Sequence, residues 1–222
     1  MSAAIISPAV LASDPHSYRE QMERVAPFAK RVQIDLTDGV FATTKTVDIH
    51  TVWWPVGVQA DLHLMYKEPA SILQDIIALK PHLVIVHAEA DGDYDDIAKQ
   101  LHGHGIKAGV ALLPDTSVSL LKQSIHLIDH ILIFSGHLGH FGGKADLSLL
   151  GKVSEAKALK QDVEIGWDGG INVENAKTLI NNGVDVLNVG GFIQKAERPQ
   201  EAYATLEKIA EEANPDESKT DN

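Results

Sequence analysis

The sequence contains no cysteine. That excludes a disulfide framework, a thiolate metal site and a cysteine nucleophile. Cations are scarce as well: 19 Lys and Arg stand against 31 Asp and Glu, a net charge of −12. Nucleic-acid surfaces need clustered cations, so that partner class is not expected. Long hydrophobic runs are also missing. Stretches such as Ile131 to Phe134 are far too short to cross a bilayer. The start, Met-Ser-Ala-Ala-Ile-Ile, lacks the basic region and long apolar stretch of a secretion signal. The expectation is a soluble cytoplasmic protein. Aromatics are only 5% of the 222 residues, whereas histidine, at 11, is plentiful.

What is present is a rhythm. Short β-rich runs recur at 4–7, 31–36, 58–64, 83–87, 108–112, 130–134, 163–166 and 186–189. Several are continuously apolar, as strands buried on both faces of a parallel sheet tend to be. Between them lie segments of helical period, clearest at 71–79, 147–159 and 202–213. Asp14-Pro15 reads as an N-cap followed by proline at the first helical position. The stretch from 40 to 56 is the least legible. Eight strands alternating with about eight helical patterns predict an α/β fold, a single (β/α)8 barrel over residues 1–213. An open doubly wound sheet is the alternative. The polar segment 214–222 reads as a disordered tail.

Chemistry in such a barrel sits at the C-terminal ends of the strands. Period two puts Gln33 and Asp35 on one side of the second strand and Asp61 and His63 on one side of the third. Asp168 ends the seventh strand, and His87 and Glu89 end the fourth. Two aspartates on roughly opposite strands suit a reaction in which one removes a proton and the other returns it. His63 between them suits a metal ligand or an electrophile. Gly142-Gly143, Gly169-Gly170 and Gly190-Gly191 follow strands six, seven and eight. They read either as backbone N–H groups for a phosphate or as tight turns needing positive φ.

From about Ile5 to Ile209 the chain resembles the ribulose-phosphate 3-epimerase family. The stretches that carry the likeness include Ser7-Pro8-Ala9, Gln33-Ile34-Asp35-Leu36-Thr37-Asp38-Gly39, Asp61-Leu62-His63-Leu64-Met65, His87-Ala88-Glu89 and Asp168-Gly169-Gly170-Ile171-Asn172. The resemblance implies a TIM barrel and an isomerase of the pentose phosphate pathway. It would interconvert phosphorylated ketoses, ribulose 5-phosphate and xylulose 5-phosphate in type, through an enediolate. It implies Asp35 and Asp168 as catalytic acid and base, and a divalent metal (Zn, Fe, Mn, Co or Mg) on Asp35, His63 and Asp168. Gly142, Gly143, Gly169, Gly170, Gly190 and Gly191 would grip the phosphate, with Ala9 and Met65 lining the pocket; His87, at a strand end, reads either as a pocket-lining residue or as a hydrogen-bonded core histidine. Family members are commonly homo-oligomers.

The departures cluster at the same place. The family has a metal-binding histidine where this chain has Gln33, and an amide oxygen suits hard cations better than zinc or iron. Ala9 replaces a substrate-contacting serine, Thr37 replaces a methionine beside the metal, and Gly191 replaces a serine of the last phosphate turn. The loop Ser135–Gly143 departs from the family's Asn-Pro-Gly-Phe-Gly-Gly type, and its His137 or His140 is a candidate to supply the missing ligand. His16, His50, His82, His102, His104, His126 and His130 read as helix or loop residues, most of them on the surface without a role. These departures keep a second reading open, a sugar-phosphate-binding relative with weak or no catalysis. A decarboxylase or aldolase-type relative is disfavoured, because Asp35-Leu36-Thr37-Asp38 lacks the lysine such enzymes place between two aspartates.

Overall fold

Each strand alternates between two environments. Outward residues such as Val32, Ile34 and Leu36, then Leu62 and Leu64, then Ile131 and Ile133, join one large apolar cluster beneath the helices. Inward positions are different: only Leu83, Ile85, Ala111 and Leu132 form a small separate apolar cluster. Many other inward positions carry buried polar side chains, among them Ser7, Arg31, Gln33, Asp35, Asp61, His63, His87, His130 and Asn188. A closed sheet sorts its residues this way because side chains point alternately in and out.

The computed structural model describes residues 3–213. Its strands are β1 (Ile5–Val10), β2 (Arg31–Thr37), β3 (Gln59–Met65), β4 (Leu83–His87), β5 (Lys107–Leu112), β6 (His130–Phe134), β7 (Glu164–Asp168) and β8 (Val186–Val189). They form a closed barrel in sequence order, every pair parallel, with β8 returning to β1. The expected (β/α)8 fold is what the chain adopts. The helices are α1 (Pro15–Val25), α2 (Leu73–Leu79), α3 (Tyr94–Gly103), α4 (Leu150–Leu159), α5 (Ala176–Asn181), α6 (Gly191–Gln194) and α7 (Pro199–Ala213). None among the described residues is long and apolar enough to cross a membrane. The segment read as a disordered tail lies outside the described residues.

The Asp14-Pro15 signal works as read. The Asp14 carboxylate accepts from the backbone N–H groups of His16 and Ser17, both at 3.0 Å, and Pro15 opens α1. Such a cap contributes about 1 kcal/mol. The helical ring is less regular than the eight expected patterns. Among the described residues, no α-helix joins β2 to β3 or β5 to β6; short 3-10 turns at Ile49–Thr51, Val118–Lys122 and Ile125–Leu127 take their place. The first connection holds four threonines and a Trp-Trp-Pro sequence, and the second holds Pro114 and three serines. Threonine and serine offer the backbone competing hydrogen bonds, as when Ser117 accepts from the Ser119 N–H.

One histidine was misplaced by the sequence reading. His130 is not on the surface; it opens β6, is buried, and its Nδ1 lies 2.7 Å from Glu164 Oε2. It belongs to a polar cluster at the N-terminal end of the barrel. Arg31 donates to Asp61 at 2.6 Å through Nε and to both Glu164 oxygens at 2.8 Å. Burial on its own would lower the Arg31 pKa, but the two carboxylates outweigh it and hold the guanidinium charged.

Candidate functional site

Parallel register places Asp35 of β2 directly beside His63 of β3, and Asp168 closes β7 next to Asn188 of β8. The closing of the barrel brings these three strand ends to one point. His63 Nδ1 lies 2.9 Å from Asp35 Oδ1 and 3.8 Å from Asp168 Oδ2. One donor atom from each of Asp35, His63 and Asp168 lies within 4.8 Å of the others, the arrangement a single metal ion requires. The fourth residue expected here arrives differently. Gln33 turns its amide nitrogen to the carboxylates, donating to Asp35 Oδ1 at 2.9 Å and to Asp168 Oδ2 at 2.5 Å. Its Oε1 is buried without a hydrogen-bond partner. A half-turn of the amide would exchange the two atoms and present that oxygen to a cation.

The electrostatics follow from burial. Asp35 and Asp168 are both held well above the usual carboxylate range, chiefly by desolvation, and Asp168 also by the charge of Asp35. Two carboxylates this close cannot both ionise cheaply without a cation between them. Burial pushes His63 down to about 4, so its imidazole is neutral and free to offer a lone pair. Two carboxylates, one imidazole and an orphaned amide oxygen are a donor set that fits a divalent cation.

Above these groups opens a cavity of about 240 Å³. Asp35 and Asp168 face it, and so do Ala9 and Met65. All six glycines singled out from the sequence line it. The two readings of those glycines divide between positions. Gly169 (φ +118°) and Gly170 (φ +69°) have positive φ, and a side chain on either would strike the backbone of the loop after β6. Gly190 and Gly191 have no positive φ; Gly190 is needed small because the Phe141 ring packs against it.

The loop after β6 roofs the cavity. Thr44 Oγ1 donates to the Gly139 carbonyl at 3.2 Å, tying it to the connection after β2. Thr37 anchors the other side of that connection: its hydroxyl donates to the Thr44 carbonyl at 2.6 Å, and its N–H donates to Thr46 Oγ1 at 2.9 Å. His137 and His140 line the cavity but are exposed and stand outside the cluster of metal donors. They do not replace the missing ligand in this arrangement.

His87 does not line this cavity. It is buried behind His63, with its Nε2 2.9 Å from His63 Nε2. Its Nδ1 lies 3.4 Å from Glu89 Oε2. The sequence reading also passed over Lys195, an exposed cation at the rim beside Gly190 and Gly191, and Asn188, which lines the cavity between Asp168 and Ser7. Lys195 carries no strand-end signal, because it follows α6. Asn188 could have been found by counting inward positions along β8.

A family model described as the ribulose-phosphate 3 epimerase family matches residues 5–194. Among similar proteins is the ribulose-phosphate 3-epimerase of Bacillus subtilis, 28% identical over 197 residues, 85% of this chain and 91% of that protein. The Helicobacter pylori ribulose-phosphate 3-epimerase is 28% identical over 212 residues, covering 92% of this chain and 97% of its own length. The chloroplastic ribulose-5-phosphate-3-epimerase of Arabidopsis thaliana is 29% identical, over 90% of this chain and 75% of that protein. Solved structures of similar shape include a 3-keto-L-gulonate-6-phosphate decarboxylase from Vibrio cholerae, with TM-score 0.75, 13% identity, and coverage of 96% of this chain and all of that one. A 3-hexulose-6-phosphate synthase has TM-score 0.64 at 16% identity, over 92% of this chain and 99% of that one. At such identities these structures speak to the fold alone. With a family model spanning β1 to α6 and relatives aligned along nearly the whole barrel, the chain belongs to the ribulose-phosphate 3-epimerase family, a family of carbohydrate isomerases.

Proposed function

We propose that this protein epimerises a phosphorylated ketose, in the simplest case ribulose 5-phosphate to xylulose 5-phosphate. The observation that carries the reading is the meeting of Asp35 and Asp168 from distant strands at the floor of a glycine-lined cavity. One carboxylate removes the proton from the carbon next to the ketone. The other delivers a proton to the opposite face of the enediolate, inverting the centre. Burial favours the state the reaction needs, one carboxyl protonated and its neighbour ionised. A divalent cation on Asp35, His63 and Asp168, with Gln33 Oε1 turned inward, would supply Lewis-acid polarisation of the ketone and hydroxyl oxygens. The phosphate would lie against the Gly142–Gly143, Gly169–Gly170 and Gly190–Gly191 backbone at the other end of the cavity.

The test is a coupled epimerisation assay on purified protein with each of zinc, iron, manganese, cobalt and magnesium. Turnover of a pentulose or hexulose phosphate with at least one metal supports the reading. No turnover with any of them overturns it.

One observation favours a second reading. Gln33 already links Asp35 and Asp168 through its amide nitrogen, a bridge that satisfies the two carboxylates without a cation. The protein would then bind a sugar phosphate without catalysis. Calorimetry with ribulose 5-phosphate, paired with deuterium exchange at C3, separates the two: binding without exchange selects the binder, and exchange excludes it.

A further inference from the structure

Behind the three metal-donor residues runs a line of groups that the epimerisation step does not use. His63 and His87 meet nitrogen to nitrogen, Nε2 to Nε2, at 2.9 Å. Both rings are buried. Two neutral imidazoles can hold that contact only with one proton between them, so one ring donates and the other accepts. Which ring donates decides what His63 offers on its other side.

The far end of the line settles the choice. Glu89 Oε1 accepts from the Leu113 N–H at 3.0 Å and from the Thr116 hydroxyl. Lys152 donates to the carbonyls of Leu113 and Thr116, both at 2.7 Å, so an ammonium stands over the same turn. These donors keep Glu89 a carboxylate. Its second oxygen, Oε2, faces His87 Nδ1 at 3.4 Å, longer than a formed hydrogen bond, and neither atom has any other hydrogen-bond partner. A lone pair on Nδ1 would oppose that oxygen, whereas an N–H attracts it. With its proton on Nδ1, His87 accepts at Nε2, and His63 must donate from Nε2.

We infer that Glu89, acting through His87, fixes the tautomer of His63 so that the His63 Nδ1 lone pair faces the gap between Asp35 and Asp168. His87 and Glu89 are therefore positioning residues for a metal ligand. They hold the ring ready before any cation arrives, the service an outer carboxylate commonly performs for a ligating histidine. This rests on the reading that Asp35, His63 and Asp168 hold a cation. The assignment also decides which side holds the proton in the 2.9 Å contact of His63 Nδ1 with Asp35 Oδ1. With Nδ1 unprotonated, that proton belongs to the Asp35 carboxyl until a cation displaces it.

Glu89→Gln is the diagnostic variant. Leu113 N–H and the Thr116 hydroxyl require an oxygen at the Oε1 position, so the new amide must turn its NH2 toward His87. That donor reverses the line: His87 donates from Nε2, and His63 carries its proton on Nδ1, where the metal should bind. Nitrogen-15 NMR of the metal-free wild type should show His63 protonated on Nε2, and the variant should show the proton on Nδ1. Titration with manganese alone should find the variant weaker by about 10- to 100-fold.

His63 protonated on Nδ1 in the wild type overturns the inference, and that spectrum decides the matter even where the variant does not fold. A variant that loses affinity while His63 keeps its Nε2 proton also overturns it, leaving Glu89 only a structural part. A wild type with the Nε2 proton that binds no divalent cation supports the tautomer and overturns the metal reading alone.

Discussion

Gln33 donates a hydrogen bond from its amide nitrogen to Asp168 Oδ2 at 2.5 Å, across the mouth of the barrel. The same nitrogen reaches Asp35 at 2.9 Å, so one neutral side chain holds two carboxylates together. The amide thus occupies the place where the family resemblance implies a ligating histidine, and it stabilises the pair by donation. A cation must turn that amide over before using its oxygen.

Gln33→His tests what this costs. Imidazole is a better partner for zinc than an amide oxygen, and a neutral ring acceptor cannot bridge both carboxylates. The variant should bind zinc at least about ten-fold more tightly, the scale of ligand-shell changes at metal sites. Magnesium, which prefers oxygen, should gain little. Competition against a chromophoric chelator reads both. Unchanged zinc affinity would place position 33 outside the coordination shell.

The two aspartates should be separable. Asn keeps the shape and one oxygen but cannot carry the proton. Asp35→Asn and Asp168→Asn should each lower epimerisation by about 10²-fold or more, the usual worth of a general acid or base. Exchange in heavy water gives the finer reading. Each ketose epimer presents its C3 hydrogen to only one carboxylate, so the variants should lose exchange with opposite epimers. Loss of the same epimer in both variants would contradict a base on each face.

The barrel was legible because eight apolar runs alternate with helical segments, and the donor cluster was legible because period two aligns Gln33 with Asp35 and fixes His63 one strand over. The same count, carried back from Gln33, reaches Arg31, and carried back from His63 reaches Asp61. That buried pair was open to the same reasoning. Other features were not. The head-to-head contact of His63 with His87 depends on ring orientation, which no spacing encodes. The Gln33 bridge depends on which way an amide turns. The missing helices after β2 and β5 reflect local competition for backbone hydrogen bonds by threonine and serine, a weaker signal than apolar periodicity.

Metal binding should tighten as pH rises. Burial holds Asp35 and Asp168 well above the ordinary carboxylate range, so in the metal-free protein a proton must leave before a cation is bound. Protons compete less as pH rises, and affinity climbs by up to about ten-fold per pH unit for each proton displaced. His63, held neutral down to about pH 4, adds no competition above that point. Calorimetry in buffers of different ionisation enthalpy counts the released protons directly. The number should be largest near pH 6 and fall toward zero at alkaline pH. A count that stays at zero near pH 6 would mean that the pair is already ionised without metal.

At the opposite end of the barrel, Arg31 should carry stability rather than chemistry. It is the guanidinium shared by buried Asp61 and partly buried Glu164, and Arg31→Met leaves both carboxylates without it. Breaking a buried pair from one side costs about 3–5 kcal/mol. In a chain this long that lowers Tm by roughly 10 °C. The loss should depend on pH with a definite sign. Burial alone would raise Glu164, but its hydrogen bonds from Arg31 and His130 outweigh it and hold the folded pKa below the ordinary 4.5. A depressed carboxylate stabilises the fold above its unfolded pKa, and that contribution disappears as pH falls. In the variant the Arg31 hydrogen bonds no longer offset burial: Asp61, already raised to about 6, rises further, and Glu164 keeps only its His130 hydrogen bond, so protonation is more favourable than in the wild type and acid relieves the damage. The gap in Tm between wild type and Arg31→Met should therefore be widest near pH 7 and narrow toward pH 4. A gap that stays constant, or widens in acid, would mean that Arg31 acts through packing of its aliphatic stem rather than through its charge.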